Sequence, residues 1–243
     1  RQDYVKAQDA FQQLITNYPN SANVDHAYFY AGQSALAHQD YAAAKSHLEK
    51  VTNTSPFKPD ARLWEGKVFQ QQHLFDRAVP LFDSVLVTEK AGDNFVQANL
   101  LKGECLFEMS TADPGDYPKS IAAFDQILKS KEGSIAERNE AAVRKAKCLE
   151  KMGQNGDAMA LYLDVLYGRV AGDDSASPAP PEFSWQFKAG MEAGSLREKQ
   201  KDWRGAIEIY KLLEQIGGAH QQLIHDLINK LRRLALFDPS APA

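Results

Sequence analysis

Large apolar residues recur along this chain in steps of three, four and seven. Tyr41, Ala44, Leu48 and Val51 make one copy of the pattern. Phe75, Ala78, Phe82 and Val85 make a second; Tyr117, Ser120, Phe124 and Ile127 a third; Trp203, Ala206, Tyr210 and Leu213 another. Ala158, Tyr162 and Val165 repeat the last three places, with Asn155 where the aromatic residue stands elsewhere. Such steps bring side chains to one side of a helix with 3.6 residues per turn. Sustained apolar/polar alternation, the mark of a half-buried strand, is missing. The pattern predicts an all-α chain.

A second pattern lies upstream of each copy. A small residue is followed five positions later by Gly or Ala: Ala27/Gly32, Ala61/Gly66, Ala98/Gly103, Ala141/Ala146, with Trp185/Gly190 as the degenerate fifth. From Gly32, Gly66 and Ala146, the small residue of the second pattern follows after 12 positions, at Ala44, Ala78 and Ala158. Ser120 lies 17 after Gly103 and Ala206 lies 16 after Gly190, so these two copies need insertions, read at 110–115 and 195–201. Each unit is therefore a pair of helices. A Gly inside a helix costs about 1 kcal/mol relative to Ala. Its recurrence implies a crossing where backbones approach and a large partner residue fills the space.

These residues resemble the tetratricopeptide repeat (TPR), whose pattern has Gly or Ala in the first helix, an aromatic and Ala early in the second, then large and aliphatic residues and a closing Pro, here Pro19 and Pro56. The resemblance implies a right-handed superhelical solenoid of helix pairs, a single array over 1–243. Repeat spacings of 37, 34, 42, 38 and 48 make it irregular. Helix pairs are expected at 22–56, 57–92, 93–131, 135–168 and 182–217. Residues 1–21 read as a lone second helix whose partner lies upstream. A loop is expected at 168–181, either a tolerated insertion or a docking segment, and Gly217-Gly218 is read as the stop of the fifth pair. A capping helix is expected at 219–237, with Leu223, Ile224, Leu227, Ile228, Leu231 and Leu234 as its apolar stripe and Gln221, Gln222, Asp226, Asn229, Lys230 and Arg233 outside. The Asn17-Tyr18-Pro19-Asn20-Ser21 ending and the long links resemble the bacterial cell-envelope branch, including Tol-Pal-associated and outer-membrane-assembly proteins. That implies a periplasmic or envelope location, with the cytoplasm as the alternative.

Composition narrows function by exclusion. With 28 Lys and Arg against 32 Asp and Glu, the net charge of −4 supplies no general attraction to nucleic acid or anionic membrane. No apolar run approaches the roughly 20 residues of a membrane span. Nucleophile-elbow, zinc-protease, phosphate-loop and dinucleotide-binding motifs are missing, so no catalytic residue and no cofactor is expected. His220 and His225, five apart, do not share a helix face, and Asp173-Asp174 lacks the ordered oxygen ligands of a calcium loop; no metal is expected. Cys105 and Cys148 hold equivalent places two residues past Gly103 and Ala146, and read as buried, reduced packing residues.

The resemblance also implies where a partner binds: on the concave side lined by first helices, at three columns set by each Gly. The first is Phe29, Leu63, Leu100, Val143, Phe187; its uniform apolarity fits either a peptide groove or core. The second is Gln33, Lys67, Glu104, Lys147, Met191, and the third Leu36, Gln70, Phe107, Glu150, Gly194. Candidate partner-binding residues are Phe107, Glu104, Lys67, Gln70, Gln33 and Lys147. Phe107 is the proposed anchor, because its column holds Gln70 and Glu150 elsewhere; packing against 110–115 is the competing reading. Arg144, Lys147 and Lys151 share a helix face, more simply a solvated surface than an anion patch. The carboxylate-clamp set of chaperone-binding TPR proteins is not present. The expected function is a non-enzymatic scaffold for a peptide or protein. A regulatory domain of a larger enzyme is the alternative, and self-association through the array's ends a third reading.

Overall fold

The computed structural model describes residues 2–111, 114–130, 132–170, 183–216 and 220–237. Twelve α-helices and one short 3-10 turn (Pro114–Asp116) account for the regular structure of these residues, and no strand occurs among them. The expected segment 171–181, Asp173-Asp174 and the Gly217-Gly218 stop lie outside the described residues. The chain divides into two compact units, residues 1–123 and 124–243.

The N-terminal unit contains α1 (Gln2–Asn17), α2 (Val24–Ala37), α3 (Tyr41–Glu49), α4 (Lys58–Gln71), α5 (Phe75–Thr88), α6 (Gly92–Met109) and the start of α7 (Tyr117–Lys129). From α1 to α6 each helix packs on the next, and α4 also touches both α2 and α6. Glycines set the crossings. A Cβ placed on Gly32 would lie 2.6 Å from Leu48 Cγ, and one on Gly66 would lie 2.4 Å from Phe82 Cε1. Leu48 and Phe82 are both fully buried, so the large residue of each second helix occupies the place of the missing side chain. In the third pair Ser120, fully buried, donates from Oγ to the carbonyl of Gly103 at 2.7 Å, across the extra residues that contain the 3-10 turn. Asp25 in the first turn of α2 accepts from both the backbone N (3.1 Å) and Oγ1 (2.6 Å) of Thr52, which ties the start of one pair to its end.

The C-terminal unit contains the rest of α7, then α8 (Ile135–Lys151), α9 (Asn155–Leu166), α10 (Phe183–Lys199), α11 (Trp203–Ile216) and α12 (Gln221–Phe237). Helix α8 opens on a capping box: Glu137 N donates to Ser134 Oγ, and Ser134 N donates to Glu137 Oε2 at 2.8 Å. Ile224, Ile228 and Leu231 of α12 are buried against Ala206, Tyr210 and Leu213, while Leu223 and Leu234 of the expected stripe are exposed.

The fifth pair corrects the sequence register. Its small-residue motif is Ala189/Gly194, not Trp185/Gly190. A Cβ on Gly194 would meet Tyr210 Cε1 at 2.3 Å, the same relation as Gly66 to Phe82. Gly194 precedes Ala206 by 12 residues, so no insertion exists there. The turn agrees: Gln39, His73, Gly153 and Lys201, each seven residues beyond the Gly or Ala of its pair, all take positive φ (71°, 58°, 77° and 58°). The next residue's N–H then reaches back five positions in every case, Asp40 to Ala35, Leu74 to Phe69, Gln154 to Leu149 and Asp202 to Arg197. Such left-handed residues end helices by satisfying their last carbonyls.

Candidate functional site

Of the three expected groove columns, the first is core where it is apolar on α2, α4, α6 and α8. Phe29, Leu63, Leu100 and Val143 are at most 5% exposed. Phe29 packs in one cluster with Ala61 and Val68 of α4, and Leu63 in another with Ala98 and Cys105 of α6, so the column is core and offers no groove floor. Phe187 belongs to a different position under the corrected register and is half-buried.

In the N-terminal unit the second and third columns meet on α4 and α6. Gln70 Nε2 donates to Glu104 Oε2 at 2.8 Å, an interhelix bond between half-buried side chains. Lys67, one turn before Gln70, lays its ammonium 4.6 Å from the Trp64 ring centroid. It makes no ion pair with a described residue, and burial holds its pKa below the usual lysine value. Phe107, one turn beyond Glu104 on α6, is half-buried. Its ring meets Tyr117 edge-on at 5.7 Å, so its packing partner is the first residue of α7, beyond the inserted segment. Gln33 on α2 is half-buried and bonds to no described residue. A half-buried aromatic ring, a cation lacking an anion among the described residues and an amide–carboxylate pair are groups that bind; none is arranged as nucleophile, base and orienter.

Lys147 lies in the C-terminal unit, where its Nζ pairs with Glu192 of α10 at 2.6 Å. Arg144, one turn earlier on α8, grips Glu140 through Nε and Nη2 at 2.9 and 2.7 Å. Glu150 accepts from Lys199 Nζ at 2.5 Å and from Tyr162 Oη at 3.4 Å. Tyr210 donates to Glu198 at 2.6 Å, the equivalent bond in the fifth pair. Burial, with the neighbouring glutamates, pushes both phenols well above the usual tyrosine pKa.

Cys105 and Cys148 are fully buried thiols. Burial, aided by Glu104 and Glu108, pushes Cys105 up to about 12. No group of three His, Cys, Asp or Glu able to hold a metal occurs among the described residues. No helix among them is long and apolar enough to cross a membrane. An open groove of about 500 Å³ between α1 and α2, lined by Phe11, Leu14, His26 and Tyr30, was not legible as a column in the repeat. Phe11 and Tyr30 stack there at 5.7 Å.

Helix pairs joined by left-handed turns, with bulky residues seated on glycines, define a helical-repeat fold. Residues 1–21 and 29–94 match family models described as tetratricopeptide repeats. The structure is similar to three solved structures at identities that speak to fold alone. YrrB, described as a TPR protein with an unusual peptide-binding site, matches at 14% identity and a TM-score of 0.59, over 93% of this chain and 99% of its own. BtubC from P. vanneervenii matches at 9% identity and 0.59, over 99% and 92%. PilW, a type IV pilus biogenesis factor, matches at 19% identity and 0.53, over 91% and 96%. No curated protein sequence matches the chain.

Proposed function

We propose that this chain is a non-enzymatic scaffold that takes a peptide segment or a protein surface on the first-helix face of its N-terminal unit. One observation carries the reading: α4 and α6 present Lys67, Gln70, Glu104 and Phe107 side by side, half-buried, with Lys67 lacking an anionic partner among the described residues. An aromatic rimmed by polar groups is the usual anatomy of a binding hot spot. Gln33 extends the same face on α2. The peptide-binding site stated for YrrB supports a peptide as the occupant. The likeness to PilW, a pilus biogenesis factor, supports a role in assembly at the bacterial envelope.

The test is photo-crosslinking. A benzophenone amino acid placed at Gln70 should trap a partner in extracts of the source cells. Lys67→Glu should abolish the adduct and cost the fold only the contact with Trp64, about 0.5–1 kcal/mol. Phe107→Ala should weaken the adduct at least tenfold. An adduct that persists in both variants would exclude this face as the site.

A further inference from the structure

The C-terminal unit carries a second cluster with a different charge balance. The bond Gln70–Glu104 shows how adjacent first helices are staggered: a residue four past the small position of one meets a residue one past that of the next. Lys147–Glu192 obeys the same offset of three, one past Ala146 meeting two before Gly194. Arg144 lies one turn before Lys147 on α8 and Lys188 one turn before Glu192 on α10, so both flank this interhelix pair. Three cations, Arg144, Lys147 and Lys188, thus face two carboxylates, Glu140 and Glu192. Arg144 is committed to Glu140 and Lys147 to Glu192. Lys188 has no hydrogen bond or ion pair with a described residue; its exposed ammonium rests 4.4 Å from the Trp185 ring centroid. Desolvation, then repulsion from Arg144 and Lys147, lowers its pKa despite both glutamates, which agrees with a local excess of positive charge.

We propose that this α8–α10 face docks an acidic peptide segment of a protein partner, with Lys188 receiving its carboxylates and Trp185 supporting its aliphatic stems. Charge complementarity selects the occupant. An incoming carboxylate supplies the anion that Lys188 lacks, and Lys147 and Arg144 beside it add to the positive field. A half-buried indole beside a cation suits a Glu or Asp segment, whose short stems need a little apolar surface and whose heads need the ammonium. The proposal rests on the scaffold reading above but uses a separate surface, so the two fail separately.

The experiment uses the 243-residue chain and a fluorescein-labelled peptide of six glutamates, followed by anisotropy at about 50 mM salt, where screening is weak. Hexaglutamate should bind saturably and hexalysine should not. Lys188→Glu should weaken binding about tenfold or more, with an unchanged helical melt. Lys211→Glu, the same charge change at an exposed position on α11, should leave affinity within about twofold. Glu192→Gln should tighten binding, because it releases Lys147. Failure of hexaglutamate to bind overturns the proposal, as does an equal loss from Lys188→Glu and Lys211→Glu. Tighter binding of a single-stranded oligonucleotide of equal charge would also overturn it, by assigning the face to nucleic acid. Crosslinking at Gln70 that survives Lys188→Glu would leave the N-terminal face standing whatever hexaglutamate does.

Discussion

Replacing Gly66 by Ala sets two effects of opposite sign against each other. In an open helix the change gains about 1 kcal/mol of backbone propensity. Here the new methyl would stand 2.4, 2.8 and 2.9 Å from Cε1, Cζ and Cδ1 of Phe82. Ordinary contact begins near 3.4 Å, so one edge of the ring must retreat by about 1 Å. It has nowhere to go: Phe82 is 0% exposed and packed among Leu63, Ala78, Val85 and Ala98. A rigid ring cannot swing its tip aside as a lysine would. The cost then lies at the upper end of overpacking, about 3 kcal/mol, for a net loss of about 2 kcal/mol. At about 2–4 °C per kcal/mol in a chain of this size, the thermal midpoint should fall by about 4–8 °C. Gly156 is the control, a helical glycine with no atom within 4 Å of its would-be Cβ; Gly156→Ala should raise the midpoint. Phe82→Leu should cost less in the Gly66→Ala background than alone, a coupling above about 0.5 kcal/mol. A Gly66→Ala protein as stable as the parent, or a pair of strictly additive substitutions, would refute the account of the crossing.

Lys201→Gly should stabilise the fold by up to about 1 kcal/mol in a denaturant titration, because Lys201 holds φ at 58°, a region only Gly enters without strain. Cys105 should resist a thiol reagent at pH 8 in the folded protein and react once unfolded, since burial keeps it a thiol up to about 12. His47 is buried, its Nδ1 has no partner, and desolvation and then Lys50 lower its pKa against Asp40. The unfolded chain therefore binds the proton more tightly, so stability present above the unfolded value of about 6.5 should be lost as pH falls below it. His47→Leu should flatten the midpoint-versus-pH curve between pH 7 and 5.

Helical pairing was legible because Gly32 and Gly66 stand 12 residues before Ala44 and Ala78, and a crossing constrains both sites at once. The fifth register was missed because Trp185 drew the motif upstream. The signal that would have corrected it was present in Ala189, Gly194 and Ala206, at the same 5 and 12 steps. Whether the first column lined a groove or a core was not decidable from composition: a Leu reads alike in both, and only the distance between neighbouring first helices settles it. For the same reason Lys147–Glu192 could not be read, because a stagger between helices 45 residues apart leaves no trace in local spacing. The order of residues within each candidate face was readable; the partner across the interface was not.

The contacts that close each pair span little chain. A Cβ on Gly32 would stand 3.3 Å from the carbonyl oxygen of Ala44, 12 residues on, and Gly103 receives Ser120 after 17. Loop-closure entropy grows with the logarithm of length, so those five additional residues raise the cost by only about 0.3 kcal/mol. Chains dominated by such local closures collapse hairpin by hairpin and belong to the fast-folding end of the topological range. The hinge between the two helices of a pair is therefore nearly neutral ground for added sequence. A tag, epitope or second binding loop spliced between α6 and α7 should leave the speed and yield of refolding almost untouched, whereas one extra methyl at the crossing would not.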